Sequence, residues 1–281
     1  MNSLWEQVIG KASLLSLPEA YLNLKKVLAQ PDYSMANVAL AISQDPALTA
    51  RLLRQVNSPF YGFSESIDTV FRAVTMMGIS QVHDLALTTS VTQVFDGMNN
   101  DIMDMPDFWE NSIFCAITSR NLARACESMK VESLFVAGLL HDIGHLIMYQ
   151  AIPDYCQQAI IRARDHARPL YQVEREMFGF DYARVGCELM RLWKLPVSFR
   201  EITEFQLEPE LALEFPFETH LLHIAVTLSE MKNTSMDAPS FDRQSMQATG
   251  LSVEQCLSIQ HESEQDVMQV MSSMFPPKIA C

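Results

Sequence analysis

Apolar residues recur every three or four positions through much of the chain, and this spacing predicts amphipathic helices. One such stripe consists of Met35, Val38, Ala39 and Ile42. Asp45 followed by Pro46 predicts the start of the next helix, because the carboxylate can cap the first turn and proline suits the first helical position. No run of alternating apolar and polar residues predicts a strand, so we expect an all-α fold.

Further helix boundaries follow from the same signals. We expect helices to begin at Ser66, at Pro106 (continuing through Met129), at Pro153 and at Pro169, and we expect Asp181 to cap a further helix. Polar stretches at 96–101 and 233–240 separate the helical segments. They predict an N-terminal helical layer (1–100), a helical core (101–232), and a linker with a short helical tail (233–281).

Composition narrows the classes of function. The chain has 281 residues, 48% of them hydrophobic, and its formal net charge is −14. Such acidity disfavours nucleic-acid binding. We expect no membrane span, since the apolar runs are shorter than the roughly 20 residues that a bilayer requires. The N-terminus does not resemble a signal peptide, and the six cysteines lack CxxC spacing, so we expect a cytoplasmic protein with free thiols.

The adjacent pair His141-Asp142 lies inside the apolar run GLLHDIGHLIM at 138–148. Burying a carboxylate and an imidazole is costly unless they meet each other, a metal or other polar partners. A metal-dependent hydrolase uses such a pair to hold a cation and a water. His145 follows one turn after His141, at a spacing that can chelate a metal.

The run at 138–148 resembles the signature of the HD phosphohydrolases, and the order of several motifs resembles their bacterial HDOD relatives. These motifs are Leu17-Pro18, ISQDPALTARLLRQVNSPFYG (42–62), FRAVTMMGISQVHDLAL (71–87), FWENS (108–112), GLLHDIGHLIM, Val185-Gly186 and LWKLP (192–196). The resemblance extends from about Leu14 to Glu230. It implies an N-terminal helical layer packed on an HD-like helical core.

The resemblance also implies where metal ligands would stand. The first histidine of the HD site corresponds to Asn111, and a histidine common before the Val-Gly motif corresponds to Tyr182. A histidine pair often found after the Leu-Pro motif falls near Phe205-Gln206. The last aspartate aligns with Val226 or Thr227.

Only His141 and Asp142 of this ligand set remain, whereas zinc sites have three or four protein ligands. The favoured interpretation is a core pair, with Asp142 accepting a hydrogen bond from the backbone or Asn111. The alternative is a metal held by His141, Asp142 and His145.

Three functions stay open. The favoured one is a non-catalytic bacterial signalling module that acts through a protein partner and needs no cofactor. The second is a phosphohydrolase that uses Fe, Mn, Zn or Mg on a nucleotide or phosphoester. The third is a sensor that binds a nucleotide without cleaving it.

Two other histidine groups have structural interpretations. His220 and His223 are three residues apart in an apolar segment, where a histidine bonded to a carbonyl is the commoner arrangement. His83-Asp84 lacks the apolar surroundings of the 141–142 pair and is interpreted as a surface or cap pair.

Overall fold

The computed structural model describes residues 3–98, 101–233 and 241–275, and these residues form helices and turns without a strand. In chain order the helices are α1 (Ser3–Ser13), α2 (Glu19–Leu28), α3 (Met35–Ser43), α4 (Pro46–Val56), α5 (Val70–Met77), α6 (Ile79–Val94), α7 (Met105–Ala125), α8 (Val131–Leu140), α9 (Ile143–Ala151), α10 (Pro153–Asp165), α11 (Leu170–Phe178), α12 (Tyr182–Leu192), α13 (Val197–Glu204), α14 (Pro216–Asn233), α15 (Arg243–Thr249) and α16 (Val253–Met274). The all-α prediction is confirmed for the described residues. Residues 234–240 of the expected linker lie outside them.

The chain divides into two compact units. The larger unit contains residues 1–15 and 98–263, and the smaller unit contains residues 16–97 and 264–281. The three-part division expected from the sequence stays a prediction.

In the smaller unit, α3 packs against α2 and α5, and α4 packs against α6. The helix start at Asp45-Pro46 is confirmed, because the Asp45 carboxylate accepts a hydrogen bond from the Leu48 N–H at 2.7 Å. The helix start expected at Ser66 is wrong. That helix begins at Val70, where the Thr69 hydroxyl caps the first turn by accepting from the Arg72 N–H.

His83 and Asp84 lie within α6, and the interpretation as a surface or cap pair is wrong. Asp84 is buried, and its carboxylate lies 2.9 Å from Nδ1 of His83. The other ring nitrogen of His83 is hydrogen bonded to the buried Tyr21 hydroxyl. A buried polar group needs such partners, and here they come from two helices.

In the larger unit, α7 packs against α8 and α14, while α12 packs against α9 and α13. α7 begins one residue before Pro106 but ends at Ala125, so the expected end at Met129 is wrong. Glu127 adopts a left-handed backbone with φ 53°, and the Ser128 N–H donates to the Ala123 carbonyl at 2.9 Å. This hydrogen-bond pattern terminates a helix.

The sequence interval 131–151 is broken into α8 and α9 at the His141-Asp142 pair. By length and hydropathy this interval could cross a membrane, but 78% of its most apolar window is buried inside the protein. Its burial matches that of core helices in a globular fold.

Two glycines bring the neighbouring helices close to this break. A Cβ at Gly138 would lie 2.7 Å from the Ala116 Cα on α7, and one at Gly144 would lie 1.9 Å from the Tyr182 carbonyl on α12. Only glycine permits such close packing. The two contacts place α7 and α12 beside the histidine-aspartate pair.

Candidate functional site

Six candidate site residues from the sequence lie around one cavity of about 180 Å³, namely Asn111, His141, Asp142, His145, Tyr182 and Val226. It is lined by Asn111, His141, Asp142, His145, Leu170, Tyr171, Tyr182, Val226, Ser229 and Glu230, and we call it the doublet cavity. Of the two positions considered for the last aspartate of the HD site, Val226 lines it. The Thr227 hydroxyl instead donates to the His223 carbonyl on its own helix.

His141 is a neutral imidazole held by backbone groups. Its Nδ1–H donates to the Gly138 carbonyl at 2.7 Å, which leaves Nε2 as the nitrogen with a lone pair. Burial lowers the pKa of His141. The Gln206 side chain donates to the His141 carbonyl at 2.8 Å, so a residue near the expected histidine pair supports the backbone here.

His145 is hydrogen bonded at both ring nitrogens to carboxylates. Nδ1 donates to Asp142, and Nε2 donates to Glu174 at 3.0 Å. An imidazole donates from both nitrogens only when it is protonated. Burial alone lowers the pKa of His145, but the charges and hydrogen bonds of the two carboxylates raise it to about 10. The ring is therefore a buried cation at neutral pH.

Two tyrosines enclose this cation. The rings of Tyr182 and His145 are stacked with centroids 4.2 Å apart, and the Tyr149 ring is stacked at 5.1 Å. Tyr182, which stands at an expected histidine position, thus covers a face of His145. Stacking of a cation on aromatic rings adds to its stabilisation.

Glu174 was missed by the sequence reasoning. It is 1% exposed, and its second oxygen accepts a hydrogen bond from the Tyr182 N–H at 3.2 Å. The carboxylate therefore joins α11 to α9 and to the start of α12. A signal was present: Glu174 stands on the apolar stripe of its helix beside Val173 and one turn before the buried Phe178.

Asp142 occupies the position before α9 where an aspartate would normally cap the helix, yet its side chain makes no capping bond. The expectation that Asp142 accepts a hydrogen bond from the backbone or Asn111 is wrong, because the carboxylate is turned to His145. Asp142 is thus engaged within the protein.

Glu230 adds a carboxylate to the doublet cavity one helical turn after Val226. The protein packed around this carboxyl group and the negative charge of Asp142 raise its pKa, although part of the side chain is exposed. This acidic residue was also missed, because the expected ligand position lies four residues earlier.

The donor set does not fit the metal that the HD resemblance implies. Asn111 offers an amide, and Val226 offers no ligand. Both nitrogens of His145 are occupied by carboxylates. Among the described residues no group of three or more His, Cys, Asp or Glu side chains is arranged to hold a metal ion.

The other histidine pair is structural. His223 Nδ1 donates to the Gln206 carbonyl at 2.7 Å, as expected for a histidine in an apolar segment. His220 Nδ1 bonds the hydroxyl of Ser245, which in turn donates to Asp242.

Comparison with known proteins identifies the family. The sequence model of the HDOD domain family matches residues 14–209 of this chain. The chain belongs to the HDOD domain family. A candidate phosphohydrolase from Shewanella amazonensis SB2B has a solved structure with a TM-score of 0.74 at 24% identity, covering 95% of this chain and 97% of that one. An HDOD domain protein of unknown function from Geobacter sulfurreducens gives a TM-score of 0.70 at 19% identity, covering 94% and 93%.

A candidate signal transduction protein from Marinobacter aquaeolei VT8 gives a TM-score of 0.73 at 18% identity, covering 97% of this chain and 65% of that one. At these identities the likeness concerns the fold alone. An uncharacterized protein of Treponema pallidum (strain Nichols) is 23% identical over 181 residues, or 64% of this chain. The aligned part of this chain spans about a third of that relative, 35% of its length.

Proposed function

We propose that this HDOD chain is a non-catalytic signalling module that acts in the cytoplasm through a protein partner. The observation that carries the proposal is the bonding of His145 to Asp142 and Glu174. The carboxylate that would bind a metal in an HD hydrolase here binds a cation belonging to the protein itself.

Charge supports this interpretation. A divalent ion at Asp142 would meet the positive charge of His145, and like charges repel strongly where water is excluded. A metal that bound His145 would also have to displace its proton, and the pKa raised to about 10 makes this displacement unfavourable at pH 7. The fold is thus retained while the conditions for metal chemistry are weakened.

The proposals of a protein partner and of a cytoplasmic location are based on composition. A net charge of −14 argues against nucleic acid and favours recognition by a protein. The cysteines at 115, 126, 156, 187 and 256 are free thiols, as is usual in a reducing cytoplasm.

A metal-dependent phosphohydrolase is the second candidate, and two observations favour it. The Nδ1–H of His141 donates to a backbone carbonyl, which is the arrangement that orients metal-ligating histidines. Glu230 also brings a carboxylate to the doublet cavity. A further solved structure with a TM-score of 0.63 is described as a candidate metal-dependent phosphohydrolase, also from Shewanella amazonensis SB2B.

The third candidate, a nucleotide sensor using the doublet cavity, has less support. A cavity of about 180 Å³ lies below the roughly 300–1,000 Å³ typical of small-molecule sites.

Metal content and hydrolysis together test the proposal. Protein purified without chelator should contain no stoichiometric iron, manganese or zinc, and it should not cleave phosphoesters or cyclic dinucleotides with manganese, magnesium or iron. The matched control is the His141→Ala, Asp142→Ala double variant. Metal-dependent turnover that the double variant loses would overturn the non-catalytic proposal and establish the enzyme.

A gain-of-site variant sharpens this test. Asn111→His with Val226→Asp adds an imidazole and a carboxylate at two positions that line the doublet cavity. Calorimetric titration with manganese or zinc should then show higher affinity than wild type. Equal affinity would contradict the placement of the lost ligands.

A further inference from the structure

The smaller unit contains an open cavity of about 450 Å³, separate from the residues discussed so far. α4 contributes Arg51 and Arg54, one turn apart, together with two alanines. α6 contributes hydroxyl and amide side chains, and the end of α16 contributes Met274, with Phe275 following it. We call this the arginine cavity.

In the part of the chain that the structure describes, its two arginines lack the carboxylate partners that most arginines have. Arg168, Arg175 and Arg191, for example, each form ion pairs with acidic side chains. In the described residues neither Arg51 nor Arg54 has a carboxylate oxygen within 4.0 Å. This is notable in a chain with 34 acidic and 20 basic residues.

The hydrogen bonding of Arg51 is also incomplete. One terminal nitrogen donates to the Gln93 side chain at 2.7 Å, whereas its Nε is buried without a partner in the described structure. A buried donor without an acceptor costs free energy, which an incoming acceptor would recover. Arg51 is thus held in position with a donor still to be satisfied.

Like charges one helical turn apart also repel each other. Asp96 lines the same cavity but lies beyond ion-pair distance of both arginines. An anion bound between the guanidinium groups would remove the repulsion. Guanidinium groups suit phosphate because they can donate two parallel hydrogen bonds to its oxygens.

The size and the apolar lining indicate a ligand larger than an inorganic ion. The volume lies within the range of small-molecule sites. We propose that the arginine cavity binds a phosphate-bearing small molecule of nucleotide size. Arg51 and Arg54 hold the phosphate, and Met274 and Phe275 contact the flat or apolar part. This ligand would give the module a small-molecule input in addition to its protein partner.

Calorimetry on the full chain at physiological salt tests the proposal with AMP, GMP, pyrophosphate and adenosine as probes. A nucleoside monophosphate should bind more tightly than pyrophosphate, and adenosine should bind weakest. Arg54→Gln should weaken nucleotide binding about tenfold or more, because a charged hydrogen-bond donor is lost. Arg164→Gln, at an exposed arginine on α10, should leave binding unchanged.

Three results would overturn the proposal. They are no binding of either nucleotide at about 1 mM, binding unaffected by Arg54→Gln, and pyrophosphate binding as tightly as the nucleotides. Arg51→Gln would also remove the contact with Gln93 inside the protein, so the test uses the exposed Arg54.

Discussion

The doublet cavity and the arginine cavity both contain charged side chains. Only in the doublet cavity, in the larger unit, do side chains of opposite charge pair with each other. In the doublet cavity, His145 stands between Asp142 and Glu174. In the arginine cavity, Arg51 and Arg54 stand one turn apart, and no carboxylate of the described residues forms an ion pair with either. A site whose charges are satisfied internally contributes to the fold, whereas unpaired charges at an open cavity favour binding from outside.

The largest effect should follow from breaking the buried ion pair in the larger unit. Glu174→Gln removes the charge opposite His145, and removing one partner of a buried pair costs roughly 3–5 kcal/mol. Urea unfolding followed by circular dichroism measures the change. Glu176→Gln, on the same helix but exposed and paired with Arg168, should cost much less, because water screens an exposed ion pair. Equal losses for the two variants would contradict the account.

Gly144→Ala should destabilise the same region by about 1–3 kcal/mol or more, because the new Cβ meets the Tyr182 carbonyl at 1.9 Å. The control is Gly10→Ala in α1, where nothing lies within 4 Å of the added Cβ. There the gain in helix propensity should stabilise by roughly 0.5–1 kcal/mol. Losses of similar size at both positions would show that the close helix contact is not required.

The charge on His145 should give a pH dependence. The pKa is raised to about 10 in the folded state, compared with about 6.5 for an ordinary histidine. Its stabilisation is therefore complete below about pH 6.5 and lost as pH rises through about 10. Between these values, the free energy of unfolding of wild type relative to His145→Gln should fall by about 1.4 kcal/mol per pH unit. A constant difference would contradict a charged His145.

The smallest effect belongs to the arginine cavity. Without ligand, Arg54→Gln should raise the free energy of unfolding by roughly 0.2–0.5 kcal/mol, because it removes repulsion between arginines one turn apart. Thermal and urea unfolding would measure this change, with Arg164→Gln as the control variant. A clear loss of stability would mean that Arg54 has a structural partner, and the contrast between the cavities would disappear.

Local signals were readable from the sequence. The Asp45 cap depends on a few neighbouring residues, and so does the Asp181 cap, whose carboxylate accepts from the Arg184 N–H. The order of the motifs also indicated the family and the fold. Of the aligned ligand positions, Asn111, Tyr182 and Val226 line one cavity, whereas Phe205-Gln206 does not. These features depend on chain order, which the sequence records directly.

The pairing of charged side chains at the doublet cavity could not be predicted from local sequence signals. His145 and Glu174 are 29 residues apart, and their contact depends on how α11 packs beside α9. The break between α8 and α9 was hidden for a related reason, since apolar residues continue on both sides of His141-Asp142 without a glycine-proline or polar turn signal. Tertiary packing decided both features, and no local pattern records it.

The protonation state of His145 tests the central claim most directly. Nitrogen-15 NMR of the imidazole at neutral pH should show both ring nitrogens protonated, and an equimolar addition of zinc should leave these signals unchanged. Asp142→Asn should lower the pKa of the ring, because it removes one of the two charges that raise it. A neutral His145 ring, or displacement of its proton by zinc, would contradict the claim that the protein's own cation engages Asp142.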